Sequence, residues 1–170
     1  VIANQSRGFA KWVLRWIFFG RVRICISGAA PLTRATMDHF EKSIGIPIME
    51  GYGLTETSPV TNCNTPSARR PGSVGKAIPG VKIKIIDEEG RDLPADGEGE
   101  VCIQGPNVMK GYYNLPKETA ESFTPDGWFR TGDVGVVDKE GFLYIRDRIK
   151  DMIIVKGLKV YSAQVEDILR

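Results

Sequence analysis

Histidine and cysteine are scarce in this chain, with one His and three Cys in 170 residues. His39 falls within a helical pattern and has no Ser or Cys companion nearby, so it reads as structural or exposed, and Ser-His or Cys-His nucleophilic chemistry gains no support. Cys25, Cys63 and Cys102 lie far apart without a Cys-x-x-Cys pair, which disfavours a disulfide framework and a zinc site and fits a reducing cytoplasm. Charge of one sign is missing too. The formal net charge of +2 is too small to argue for nucleic acid, and no zinc-finger or RNA-binding signature occurs. The one apolar run, from Trp12 to Phe19, is interrupted by Arg15 and falls short of the roughly 20 residues that span a bilayer. It is not a signal peptide either, since charges sit inside it. Repeats and low-complexity segments are absent. What remains is 42% hydrophobic and 26% charged, a globular composition with enough chain for one good core or two small ones.

The N-terminal segment is basic, with Arg7, Lys11, Arg15, Arg21 and Arg23 and no acid before residue 24. Phe9, Trp12, Val13, Trp16 and Ile17 recur at helical spacing there. An amphipathic helix packed on its own domain is the favoured reading; peripheral membrane contact and an oligomer contact stay open. Next, the β-rich run at residues 22–26 ends in Ser27-Gly28-Ala29-Ala30-Pro31. A helix follows, with Thr33 as N-cap, Met37, Phe40 and Ile44 on one face and Gly45 as stop. Residues 46–49 then lead back into a strand, which makes a βαβ unit whose parallel strands present the loops at Gly28 and Gly53 on one edge.

After Ser58, Pro and Gly exclude a long helix. Val81, Ile83 and Ile85 alternate with lysines, Val101 and Ile103 alternate with Glu100, Cys102 and Gln104, and turns fall at Glu89-Gly90 and Asp126-Gly127. Residues 134–137 and 142–145 flank a hairpin signal at Asp138-Lys139-Glu140-Gly141. The predicted fold is therefore α/β plus β: a βαβ portion of a larger parallel-sheet subdomain over 1–70, a small antiparallel β-barrel-like unit over 71–146, and the start of an α+β domain over 147–170. That last unit reads as strand, Lys156-Gly157 turn, strand and a helix capped by Ser162. Its short terminal helix lacks a C-cap, so the natural protein is expected to continue.

Chemistry concentrates in Glu50-Gly51-Tyr52-Gly53-Leu54-Thr55-Glu56. The glycines permit close approach, Tyr52 offers a ring face, Thr55 a donor to phosphate and Glu56 a magnesium ligand. Alone, such a stretch is equally an ordinary polar turn. Four segments join it: residues 27–32, a bare backbone edge for a flat base; 99–105 with Gly111-Tyr112-Tyr113, a strand and loop; Trp128 to Asp133, a carboxylate after glycine suited to both ribose hydroxyls or to capping a turn; and the charged run 146–151, a hinge between two units or a solvated linker.

In that order and combination, the GYGLTE, FRTGD and DRIKDMIIVKG segments resemble the adenylate-forming, AMP-binding acyl-CoA synthetase family, from about Val22 onward. The family includes fatty acyl-CoA ligases, coumarate-CoA ligases, firefly luciferase and peptide-synthetase adenylation domains. SGAAPL, GYGLTETSPV and KDMIIVKGLKVY look most like long- or medium-chain fatty acyl-CoA ligases. The resemblance implies that Gly28, Ala29, Ala30, Glu50 and Gly51 line the adenine with Tyr52 stacked on the base, while Gly53 joins the cofactor-binding residues and touches the entrance of the acyl pocket. Thr55 is then expected to hold phosphate, Glu56 to bind Mg²⁺, Asp133 to take the ribose hydroxyls and Arg148 to add a positive contact. Lys150 matches the hinge, and Lys156 with Gly157 approaches coenzyme A. ATP/AMP, Mg²⁺ and coenzyme A are the implied cofactors, with a fatty acid as carboxylate substrate. A carrier-protein acceptor and a non-catalytic nucleotide-binding module are the alternatives. The family's upstream phosphate loop and its C-terminal catalytic Lys are not among these residues, so the chain by itself is expected to be inactive.

Overall fold

The computed structural model describes residues 17, 19–28, 32–155 and 158–161. Most of the N-terminal basic segment, Ala29, Ala30, the Lys156-Gly157 turn and the helix expected from Ser162 lie outside the described residues. Two four-stranded sheets carry the fold, one of mixed direction and one antiparallel, with few helices.

The first sheet grows from the βαβ unit. Strand β1 (Cys25–Ser27) runs parallel to β2 (Ile48–Gly53), pairing Cys25 with Ile48 and Ser27 with Glu50. Between them, α1 (Arg34–Ile44) starts where Thr33 Oγ1 accepts the Thr36 N–H at 3.2 Å and stops at Gly45, which takes a left-handed φ of 73°. Both caps satisfy backbone groups that the helix leaves open. Met37 turns the apolar face of α1 into the core, whereas His39 is exposed. Glu41 locks helix to strand: its carboxylate accepts the Ile48 N–H at 2.8 Å and pairs with Arg69, whose Nε donates to the Ile48 carbonyl at 3.1 Å. Two further strands, β3 (Val60–Cys63) and β4 (Lys76–Ala77), add antiparallel to the β2 side and make the order β1-β2-β3-β4. Proline and glycine on both flanks hide these short strands from a pattern search, because pairing across the sheet, not local periodicity, extends them.

The second sheet has the order β5-β6-β7-β8, formed by Lys82–Ile86, Glu98–Gln104, Phe129–Val137 and Leu143–Arg148. Strands β7 and β8 are the expected hairpin, and Gly141 at its turn has φ 85°. Among the described strands β5 and β8 are the sheet's edges. Val81, Ile85, Val101, Ile103 and Leu143 form its core. One expectation fails on β6: Cys102 and Glu100, read as alternating with the core positions, are buried like Val101 and Ile103, Cys102 fully so. As a central strand β6 is covered on both faces, and a register shift between Glu100 and Cys102 breaks the simple alternation. Burial pushes the Cys102 thiol up to about 12, which makes it a packing residue.

A short helix α2 (Pro116–Glu121) links β6 to β7, and β9 (Ile153–Val155) pairs antiparallel with β10 (Leu158–Val160). The two large sheets are joined by backbone: Val74 N–H donates to the Leu143 carbonyl at 2.9 Å, and Leu143 N–H to the Gly75 carbonyl at 3.0 Å. Tyr52, Leu54, Val74, Ala77 and Ile78, from the first sheet and the chain beside it, pack against the core of the second sheet. The seam between them carries the site.

Candidate nucleotide-binding site

A cleft of about 390 Å³ opens along this seam. One wall is the C-terminal end of β2, with Glu50, Gly51, Tyr52 and Gly53; the other is Asp133 from β7 and Ile145 to Arg148 from β8. Leu32, Leu54, Gly72 and Val74 complete the lining. Strand ends of an α/β sheet leave such crevices, because the chain must leave the sheet there.

Small residues keep the first wall low. Gly53 is required by space: a Cβ there would lie 1.7 Å from the Pro59 carbonyl oxygen, at the register shift between β2 and β3. Gly28, at the end of β1, faces the same wall, and a Cβ on it would lie 3.4 Å from the Gly51 carbonyl oxygen. The Glu50 side chain accepts the N–H of Gly72, another lining residue, at 2.9 Å.

Asp133 dominates the opposite wall. It is only 4% exposed, yet both carboxylate oxygens have partners: Oδ2 accepts the Tyr52 hydroxyl at 2.5 Å, and Oδ1 lies 3.2 Å from Nε of Arg148. Burial raises the Asp133 carboxyl above the usual carboxylate range, against the opposing pull of Tyr52 and Arg148. The Tyr52 hydroxyl is driven far up in turn, chiefly by burial and then by the adjacent carboxylate. A second acid sets this geometry. Glu100 accepts the Gly132 N–H at 3.2 Å and pairs with Arg130 at 2.6 Å, while Asp133 N–H donates to Thr131 Oγ1 at 3.1 Å. The register shift in β7 next to this cinch aims Asp133 into the cleft.

Thr55 and Glu56 occupy a single 3-10 turn, Thr55–Thr57, directly after Leu54 of the lining. Thr57 is buried and ties the turn, accepting the Leu54 N–H at 2.9 Å and donating to the Pro59 carbonyl. Thr55 is exposed and Glu56 half-buried, with its Oε1 accepting the Tyr112 hydroxyl at 2.9 Å. Burial, then Glu56, raises the Tyr112 hydroxyl. Lys150 stands exposed in a 3-10 turn, Ile149–Asp151, two residues beyond Arg148.

Of the residues expected at the site, the cleft thus brings together Glu50, Gly51, Tyr52, Gly53, Asp133 and Arg148. Gly28, Thr55, Glu56 and Lys150 adjoin lining residues in sequence or space without lining it themselves, and Ala29, Ala30, Lys156 and Gly157 lie outside the described residues. Glu100 and Tyr112 fell within segments singled out in the sequence, but no role was read for either. Their partners lie 30 or more residues away, and no local pattern reports such pairing. No cluster of three potential metal ligands occurs among the described residues. No helix among them is long and apolar enough to cross a membrane.

A bare strand edge opposed by a buried carboxylate with an arginine beside it lines the cleft of this mixed α and β fold. Comparison with known proteins gives the family: residues 5–113 match the family described as AMP-binding enzyme, and the chain belongs to it. It is 46% identical over 150 residues to a long-chain-fatty-acid–CoA ligase of Bacillus subtilis, covering 87% of this chain and 27% of that protein. It is 42% identical to the fatty acid–[acyl-carrier-protein] ligase ScoC of Streptomyces coeruleorubidus, with 89% and 30% covered. Among solved structures, the O-succinylbenzoate coenzyme A synthetase of Bacillus subtilis in complex with ATP and magnesium ion is similar with a TM-score of 0.77, at 32% identity over 92% of this chain and 34% of that one. The chain therefore spans under a third of the length of the curated relatives named here.

Proposed function

We propose that the full-length protein carrying this chain is an ATP-dependent fatty acyl-CoA synthetase and that these residues form its adenosine-binding centre. The carboxylate oxygen attacks the α-phosphate of ATP and pyrophosphate leaves; the coenzyme A thiol then attacks the acyl carbon and AMP leaves. One observation carries the reading: Asp133, buried yet held between Tyr52 and Arg148, faces the bare end of β2 across the cleft. A buried carboxylate with lone pairs to spare suits the two donors of a ribose.

In this reading Gly28, Ala29, Ala30, Glu50 and Gly51 flank the adenine, Tyr52 offers its ring, Thr55 holds phosphate, and Arg148 adds charge beside the ribose. Glu56 fits a magnesium site of the open kind, in which one carboxylate binds the ion and waters and substrate phosphates complete it. A magnesium ion there neutralises charge developing on the phosphate. Lys150 serves as the hinge, and Lys156 with Gly157 meets coenzyme A after the hinge turns. We assign 1–70 to the large AMP-binding α/β subdomain, 71–146 to a β-barrel-like one and 147–170 to the hinge and the start of the C-terminal domain. Strand β4 reaches back over the first of these boundaries. A cytoplasmic setting goes with free cysteines and with these substrates.

The test is ATP–pyrophosphate exchange by the full-length protein with fatty acids of graded length. Fatty-acid-dependent exchange is expected, reduced about 100-fold or more by Asp133→Ala, because mispositioning a reactant by an ångström is that costly. AMP binding without exchange for any carboxylate would leave a non-catalytic nucleotide-binding module. The similarity to a carrier-protein ligase favours one second reading, a carrier in place of coenzyme A. Supplying coenzyme A or an acyl-carrier protein to the preformed acyl-adenylate decides between them by which thioester accumulates.

A further inference from the structure

Glu56 is not left to find its own conformation. The loop between β6 and α2 grips its turn at three points: Asn107 Nδ2 donates to the carbonyls of Thr57 at 2.8 Å and Val60 at 3.0 Å, Met109 N–H donates to the Glu56 carbonyl at 2.8 Å, and the Tyr112 hydroxyl donates to Glu56 Oε1 at 2.9 Å. The first two contacts already fasten loop to turn through the backbone. What the Tyr112 hydroxyl adds falls on the Glu56 side chain alone.

Tyr112 is itself built into place. Gly111 takes φ 151°, and a Cβ there would meet Thr119 Cγ2 at 2.5 Å, so only glycine brings the chain this close to α2. The Tyr112 N–H donates to Thr119 Oγ1 at 2.9 Å, and that hydroxyl donates to the Leu115 carbonyl at 2.7 Å. The next residue, Tyr113, is 90% exposed. Of two adjacent tyrosines, the fold anchors the one that reaches Glu56.

We propose that Tyr112 is a positioning residue for the divalent cation: its hydroxyl fixes one Glu56 oxygen and so presents the other to the metal. The inference rests on the reading of Glu56 as the metal ligand. A magnesium site with one protein carboxylate depends on that group's orientation more than a many-liganded cage does, and hydrogen bonds to ligating carboxylates set it.

The experiment uses the full-length protein, Tyr112→Phe and Glu56→Gln, with Mn²⁺ as the probe metal and α,β-methylene ATP as a nucleotide that cannot be cleaved at the reacting bond. Mn²⁺ affinity is read from water-proton relaxation, and metal-free nucleotide affinity from calorimetry. Tyr112→Phe is expected to weaken Mn²⁺ binding about 10-fold while metal-free nucleotide affinity holds within about twofold. Parental Mn²⁺ affinity in Tyr112→Phe, with binding lost in Glu56→Gln, overturns the role of Tyr112 and leaves Glu56 as ligand. Equal losses of nucleotide and metal affinity in Tyr112→Phe overturn it as well, by showing a general structural effect. Parental Mn²⁺ affinity in Glu56→Gln overturns the metal reading of Glu56 and the proposal with it.

Discussion

At the scale of single residues the site turns on the protonation of Asp133. Its carboxyl is raised by burial and held back by the Tyr52 hydroxyl and Arg148. The sign for binding follows: the ionised carboxylate is the better acceptor for two hydroxyl donors, so AMP affinity falls as pH falls through the Asp133 value. Because that value is raised, the loss begins above the ordinary carboxylate range. Calorimetric titrations of AMP carried down through the acid range are expected to show weakening that sets in above the ordinary carboxylate range and tends toward tenfold per pH unit below the Asp133 value. Asp133→Asn, which cannot ionise, is expected to bind weakly with a flat profile. Tyr52→Phe keeps the ring but removes the donor that lowers the Asp133 value, so its profile is expected to shift to higher pH. A flat parental profile sinks this account of Asp133.

Elements place those residues, and here local and distant signals separate. Helix α1 is legible in sequence because everything that delimits it lies within one or two turns: Thr33 at one end, Gly45 at the other, Met37 on the buried face. The β7-β8 hairpin is legible for the same reason, through Asp138 to Gly141. Cys102 was placed on the wrong side because alternation assumes one wet face, which the central strand β6 lacks. The site divides similarly. Tyr52 and Asp133 each sit in a local motif, whereas Glu100 shapes the Asp133 segment through contacts across the sheet and Tyr112 reaches Glu56 across 56 positions. Glu100 therefore offers a test of how elements position chemistry. Glu100→Ala deletes the acceptor of the Gly132 N–H and the partner of Arg130 without touching the cleft lining. A loss of about 1–3 kcal/mol in stability is expected, together with roughly tenfold weaker AMP binding as the β7 register shift relaxes. Denaturant melts and calorimetry on the same variant separate the two effects; unchanged AMP affinity rules out the positioning role.

On the scale of the whole molecule, the cleft belongs to neither sheet. Tyr52 comes from the mixed sheet and Asp133 from the antiparallel one, and their hydrogen bond runs beside the backbone pairing of Val74 and Gly75 with Leu143. Both walls of the cleft proposed for adenosine are therefore present in these 170 residues. In the proposed reading the phosphate end rests on Thr55 and Glu56 of one short turn, Thr55–Thr57. Holding two reactants in register supplies roughly 7–11 kcal/mol of barrier reduction in favourable cases, and that requires both ends of the nucleotide to be gripped. The chain alone is accordingly expected to bind AMP weakly and to catalyse no ATP–pyrophosphate exchange above background. Amide shifts on AMP titration are expected to centre on Tyr52 and Asp133 and to vanish in Asp133→Ala, while exchange with any fatty acid stays at the level of the blank. Identical shifts in parent and Asp133→Ala sink the ribose assignment. Robust fatty-acid-dependent exchange by the 170 residues sinks the separate claim that the phosphate grip requires more protein.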